Sequence, residues 1–226
     1  MDYALLKVLV SIVIAYLLGS IPSAVIVSKK VFGFDIREKG SGNMGSTNAM
    51  RVMGWKWGML VQIIDVLKGL AAVLIAGWIV KDGINLGAYT WLQDTTLVKI
   101  IAGLFAVVGH IWSVFVKFKG GKGVNTAAGM LLGIIPIDVG IAVAVFLIVL
   151  VLSGYVSLGS ILASITLPTS LFMRYNVCQD TIPGYHTIIF LLIALSILII
   201  FTHRKNIIRI FQGTENKFKK VQIFKK

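Results

Sequence analysis

The chain has 226 residues, of which 57% are hydrophobic and only 14% charged, and its mean hydropathy is +0.90. A water-dissolved fold of this size has no interior large enough to hide so much apolar surface, so the bilayer must act as solvent. The formal net charge of +13, from 22 Lys and Arg against 9 Asp and Glu, points to anionic lipid headgroups and a charge-biased orientation. Nucleic acid is not expected as a partner, because no water-dissolved domain remains to carry a basic face. The single cysteine, Cys178, rules out an internal disulfide, a CxxC pair and a Cys-based metal site.

In chain order, the apolar stretch from Ala4 onward lacks a basic leader and an A-x-A cleavage site, and is read as a retained first span. About 20 apolar residues cross the hydrocarbon core as a helix. Residues 3–28, 55–80, 98–116 and 186–202 meet that requirement. The stretch 123–175 is apolar throughout and too long for one span. Pro136 with Asp138 marks one turn in it, and Ser153-Gly154-Tyr155 marks another, which divides it into 123–135, 137–153 and 157–175. The expected fold is an all-α membrane protein of seven transmembrane helices. Because 123–135 is short, five full spans with re-entrant segments is the alternative.

Orientation follows from the basic residues in the connections. With seven spans, the loops 29–54 (with Lys56), 117–122 and 154–156 and the tail 203–226 share one side. They hold six, three, no and eight basic residues, 17 of the 22. Lys81, Lys99 and Arg174 are assigned to the opposite loops, and Lys7 and Lys68 to spans. This asymmetry places the N-terminus outside and the C-terminus in the cytoplasm. The whole chain, 1–226, is read as one integral membrane domain with a basic cytoplasmic tail, 203–226. Trp55, Trp57, Trp78, Trp91 and Trp112 fall near span ends, as interfacial belts do.

Three cytoplasmic segments carry unusual chemistry. The first runs through Gly19-Ser20-Ile21-Pro22 and Phe34-Asp35-Ile36-Arg37 to Gly40-Ser41-Gly42-Asn43-Met44-Gly45-Ser46-Thr47-Asn48, with Arg51 beyond. Glycines among small hydroxyl and amide residues let several N–H groups point one way, as an anion-binding nest does. Thr47 and Asn48 precede a helical run, whose N-terminal dipole adds to the attraction. Arg51 supplies a two-pronged donor for phosphate. A plain flexible connector would not need this mixture of donors.

The second segment is Lys117-Phe118-Lys119-Gly120-Gly121-Lys122-Gly123-Val124-Asn125-Thr126. Ammonium groups beside unpaired N–H groups would clamp phosphate, although the spacing is not that of a Walker A loop. The positive-inside rule explains Lys117 well and the Gly-Gly-Lys-Gly geometry poorly. The third, Gly154-Tyr155-Val156-Ser157-Leu158-Gly159-Ser160, could line a pocket with hydroxyls, but taken alone it reads as close helix packing. Beyond it, the tail opens with His203-Arg204-Lys205-Asn206. If the last helix continues, His203 and Asn206 share a face. The lysines from Lys217 onward are read as binding anionic lipid. Asp65 and Lys68 lie inside the membrane at i and i+3, and are read as a structural ion pair.

Taken together, these stretches resemble the bacterial acyl-phosphate:glycerol-3-phosphate acyltransferase family. The likeness runs from Gly19 to Arg51, Gly109 to Thr126, Gly154 to Ser160 and His203 to Glu215. It rests on the patterns G-S-I-P, D-I-R…G-S-G-N-x-G, G-H…F-K-G-G-K-G-V and H-R-x-N-I, in one order. The chain departs from the family at three points: Ser46 and Asn125 stand where alanine is usual, and Ser113 where proline is usual. The resemblance implies transfer of a fatty acyl group from acyl phosphate to the 1-hydroxyl of sn-glycerol 3-phosphate. Lysophosphatidic acid and phosphate are released. It further implies a bacterial inner-membrane enzyme with a cytoplasmic site, no cofactor, and an upstream enzyme that makes acyl phosphate.

Carried over residue by residue, the resemblance gives Ser41, Lys122, His203 and Asn206 as catalytic. Arg51, Lys119, Asn43, Thr47, Asn48, Gly120, Gly121 and Ser157 bind substrate, and Asp35 and Arg37 fix the loop. Two phosphate-bearing substrates must sit together, so cations and amides are needed to offset their repulsion. The anhydride is already activated and needs no protein nucleophile. None of His110, His186 and His203 has an aspartate five positions on, so a His-x4-Asp base is absent and substrate-assisted attack is expected. No His, Asp and Glu cluster calls for a metal. The rival reading is a transporter of a phosphorylated solute, which would continue ionisable residues through the membrane.

Overall fold

The computed structural model describes residues 3–84, 95–215 and 217, which contain ten α-helices and no strand. They are α1 (Tyr3–Ser20), α2 (Ser23–Phe32), α3 (Ser46–Met53), α4 (Trp55–Ile79), α5 (Thr95–Ile111), α6 (Val124–Ile134), α7 (Pro136–Ser153), α8 (Val156–Asn176), α9 (Tyr185–Thr202) and α10 (Arg204–Phe211). Among the described residues, six segments are long and apolar enough to cross a membrane: Tyr3–Phe32, Trp55–Ile79, Thr95–Val116, Pro136–Ser153, Val156–Asn176 and Tyr185–Thr202. The seventh expected span, α6, has 11 residues, about 16 Å at 1.5 Å per residue. That is roughly half of the ~30 Å hydrocarbon core. The chain is an all-α, multi-pass membrane protein.

Two details of the sequence reading change. Lys99 and Arg174 lie within α5 and α8, not in loops. Trp55, Trp78 and Trp112 are exposed as an interfacial belt requires, but Trp57 packs on the Ala24–Met53 apolar cluster with its ring edge-on to Phe32, centroids 5.7 Å apart. Trp91 and the lysines beyond Lys217 lie outside the described residues.

The helices form two compact units, Met1–Ile134 and Ile135–Lys226. In the first, α1 packs on α5 and α4, while α4 also packs on α3, α5 and α6. Small residues set these distances, as they do where lipid offers no hydrophobic drive for helix association. Gly19 of α1 abuts the Ala106 carbonyl of α5, and Gly109 of α5 abuts the Tyr16 carbonyl in return. Gly69 and Gly129 do the same between α4 and α6, against the Thr126 and Val66 carbonyls. The short α6 is thereby held tightly on α4.

Helices α1 and α2 are one apolar run interrupted at Ile21-Pro22, where proline cannot donate to the helix ladder. The break leaves the Ser20 and Ile21 carbonyls to other donors. The buried Ser113 hydroxyl donates to the first. Lys68 Nζ donates to the second at 3.0 Å. The G-S-I-P motif is a built junction.

In the second unit, α7 packs on α8, and α8 on α9. Helix α7 buries Asp138 and Ala142 while Ile137, Ile141, Val143, Leu147, Ile148 and Leu152 stand exposed, a pattern that suits lipid as solvent. Asp138 accepts from Arg174 at 2.7 Å and from Ser170 at 2.8 Å. At the α10 end, Glu215 collects three donors: Ser157 at 2.8 Å, Asn206 at 2.7 Å and Arg209 at 2.6 Å. Asn206, then Arg209 and Ser157, hold its carboxyl below the usual range. This carboxylate ties the start of α8 to α10.

Two outcomes follow for thermal unfolding of the purified protein. Gly129→Val should lower the midpoint, because overpacking costs about 1–3 kcal/mol, whereas Gly140→Ala, with nothing near its added methyl, should not lower it. Glu215→Ala should drop the midpoint by on the order of 5 °C. Since the Glu215 shift is downward from 4.5, its contribution is complete above that pH and disappears as the pH falls further. The Glu215→Ala variant should therefore lose less stability than the parent on acidification through that range.

Candidate active site

The first unit builds its site from two turns. The turn before α3 is wound around one side chain, Asn48, which is 2% exposed. Its Oδ1 accepts the Ser41 N–H at 2.9 Å, and its Nδ2 donates to the Lys39 and Asn43 carbonyls at 3.1 and 2.9 Å. Asn43 Oδ1 accepts the Gly45 N–H at 2.8 Å, an Asx turn. Gly40 has φ +61°, and any Cβ there would strike Asn48 Oδ1. Upstream, Asp35 accepts from the Arg37 backbone at 3.0 Å and pairs with Arg37 at 2.7 Å and Lys29 at 3.2 Å. The hydrogen bond from the Arg37 side chain holds the Asp35 carboxyl well below the usual carboxylate range. Asp35 and Arg37 fix the loop.

The lysine turn is pinned to the end of α5. Lys117 and Phe118 both lie in the left-handed region, at φ 56° and 60°, a conformation that costs about 1–2 kcal/mol per non-glycine residue. The Gly120 N–H then donates to the Ile111 carbonyl and the Gly121 N–H to the His110 carbonyl, each at 3.0 Å. Added Cβ atoms would strike the His110 carbonyl at Gly120 and the His110 ring at Gly121. The amides of these two glycines are therefore not the unpaired N–H groups the sequence suggested. The glycines let the turn lie flat on α5, and the opening amides of α6 beyond them have no partner within that helix.

The two turns meet. Asn125 Nδ2, on the first turn of α6, donates to Ser46 Oγ, the first residue of α3, at 3.0 Å. Between them opens a cavity of about 400 Å3, lined by Ser41, Asn43, Thr47, Asn48, Arg51 and Lys122, and by Ser46 and Asn125 themselves. This size falls within the 300–1,000 Å3 usual for small-molecule sites. Arg51 and Lys122 supply positive charge, and the N-termini of α3 and α6 add partial positive charge. The cavity is suited to an anion.

Its inner wall carries Asp65 and His110. Asp65, fully buried, accepts through Oδ1 from Ser23 at 2.6 Å and pairs with Lys68 at 2.9 Å, while His110 Nδ1 lies 3.6 Å away. Its Oδ2 and His110 Nδ1 have no hydrogen-bond partner among the described residues. The pair read as structural does join helices, and it also lines the cavity.

The sequence-derived residues thus divide. Ser41, Asn43, Thr47, Asn48, Arg51 and Lys122 come together, although the side chains of Asn43 and Asn48 also build the loop. Lys119 is exposed and does not line the cavity. Ser157, His203 and Asn206 belong to the second unit. There Ser157 and Asn206 bond Glu215, and His203, at the break between α9 and α10, has Nδ1 2.8 Å from the Ile199 carbonyl. The last helix does not run through His203. Sequence reasoning missed Ser46, His110 and the Glu215 hub, although Asn125 stood out as a departure beside the lysine turn.

Comparison with known proteins identifies the family. A family model described as glycerol-3-phosphate acyltransferase matches residues 9–213. The glycerol-3-phosphate acyltransferase of Chlorobaculum tepidum is 45% identical, covering 94% of this chain and 97% of that one, and that of Chlorobaculum parvum is 44% identical with the same coverage. A crystal structure of PlsY, an integral membrane glycerol 3-phosphate acyltransferase, in its glycerol 3-phosphate form is 36% identical. It superposes with a TM-score of 0.67, covering 93% of this chain and 95% of that one. The lysophosphatidic acid form gives 0.66 at 35% identity, covering 95% and 97%. With a family model spanning nearly its whole length and relatives this similar, the chain belongs to the glycerol-3-phosphate acyltransferase family.

Proposed function

We propose that this chain acylates the 1-hydroxyl of sn-glycerol 3-phosphate with acyl phosphate as donor, releasing lysophosphatidic acid and phosphate. The observation that carries this reading is the convergence of Arg51, Lys122 and two helix N-termini on one cavity. One phosphate-bearing reactant suits such a site, and two reactants of like charge require it. The cations hold them together and stabilise the negative charge that develops on the attacked carbonyl.

The hydroxyl oxygen attacks the acyl carbonyl, the bond to the phosphate oxygen breaks, and the hydroxyl proton passes to the departing phosphate. Atoms and charge balance without a protein nucleophile or a cofactor. In this reading Ser41, which lines the cavity, relays the proton. The family resemblance extends the reading to His203, Asn206 and Ser157, and an enzyme producing acyl phosphate would act upstream.

The topology proposed is N-terminus outside and C-terminus inside, in the inner membrane of a bacterial cell, with the site facing the cytoplasm. The half-length α6 counts as the seventh crossing. Only an odd number of crossings places the loops holding 17 of the 22 basic residues on one side.

Three measurements test these statements. Arg51→Ala and Lys122→Ala should each lower kcat/KM by about 10²–10³-fold, read as phosphate release, and activity near the parent's would refute the anion clamp. His203→Ala, Asn206→Ala and Ser157→Ala belong to the same series. Given acyl phosphate and acyl-CoA together, the enzyme should consume only the former, and use of acyl-CoA would overturn the donor assignment. Cys178, exposed and the sole cysteine, should react with a membrane-impermeant maleimide applied to intact cells. Reaction only after the membrane is opened would reverse the orientation.

A further inference from the structure

Ser46 and Asn125 are two positions at which this chain departs from the family pattern, and the structure puts them in contact. Ser46 is 8% exposed and lines the cavity. Its oxygen accepts from Asn125 Nδ2 at 3.0 Å. A hydroxyl has one proton to give, and accepting through a lone pair leaves that proton available. No acceptor for it is found among the described residues. Around it stand Arg51, Lys122 and the opening amides of α3 and α6, all suited to one anion.

We propose that Ser46 is an additional donor to the phosphate of the acceptor substrate, oriented by Asn125. Two features favour the assignment. A donor that is itself accepting a hydrogen bond is polarised, so its own bond to an anion is strengthened. The amide also occupies one Ser46 lone pair, which limits the ways the hydroxyl can turn its oxygen toward the phosphate and repel it. Because Ser46 opens α3 and Asn125 lies in the first turn of α6, the same bond fixes the spacing of the two helix ends. Alanine at both positions would leave the cavity intact and remove this one donor. Alanine at one would strand a polar partner. This inference rests on the phosphate-binding reading of the cavity and not on the identity of the acyl donor.

The test is calorimetric titration of glycerol 3-phosphate and of inorganic phosphate into the purified full-length protein. The parent is compared with Ser46→Ala, Asn125→Ala, the double variant and Ser46→Thr, and each variant's unfolding midpoint is measured without ligand. Ser46→Ala should weaken both ligands about ten-fold, the low end for a hydrogen bond to a charged group. Asn125→Ala should weaken them about three-fold, because the hydroxyl remains but is no longer held. The double variant should bind no more weakly than Ser46→Ala, and Ser46→Thr should retain affinity. Unchanged binding by Ser46→Ala overturns the proposal, as do single effects that multiply in the double variant or losses that track the midpoint. If Ser46→Ala does not fold, Asn125→Ala decides, since binding equal to the parent's would show that the hydroxyl needs no orientation. Acyl transfer is assayed separately, so a protein that binds phosphate through Ser46 but transfers no acyl group would contradict the proposed reaction and leave this inference standing.

Discussion

Positive charge does not gather at one point unaided; something has to hold it there against its own repulsion. In the first unit that work falls to a few neutral hydrogen bonds. Asn48 winds the turn before α3, the Gly120 and Gly121 amides fasten the lysine turn to the end of α5, and Asn125 joins one turn to the other through Ser46. The neutral bonds keep Arg51, Lys122 and two helix N-termini on one cavity. Such preorganisation lets the site act electrostatically without rearranging during reaction.

The glycine pairs between helices serve the same end from a distance. Gly69 and Gly129 seat α6 on α4, which sets where α6 begins and hence where Lys122 and Asn125 stand. Asp65 and Lys68 lie at that level of α4, with the ammonium also bonded to the carbonyl that the Pro22 break releases. The break, the buried pair and the lysine turn form one connected arrangement. A carboxylate on the inner wall of an anion cavity is tolerable because Lys68 and Ser23 hold its Oδ1.

Much of this was legible in the sequence. Apolar runs gave the helices to within a few residues, because segments that must satisfy their backbone in lipid have little alternative to the helix. The two turns that line the cavity stood out because glycine, lysine and small polar residues are rare in such company. What the sequence hid was the destination of each hydrogen bond. The Gly-Gly amides looked available and are taken up by α5. His203 and Asn206 looked like one face of a continuing helix, but His203 stands at the break between α9 and α10, and Asn206 lies within α10. Glu215 gave no local signal, since its importance lies in partners 58, 9 and 6 residues away. Ser46 and Asn125, 79 residues apart, could be read as departures but not as a pair.

The account depends most on where an anion settles in the first unit. A crystal structure of this protein with glycerol 3-phosphate tests that directly. The phosphate is expected within hydrogen-bonding reach of Arg51, Lys122 and the opening amides of α3. Electron density for the ligand elsewhere, with those groups left to water, would contradict it.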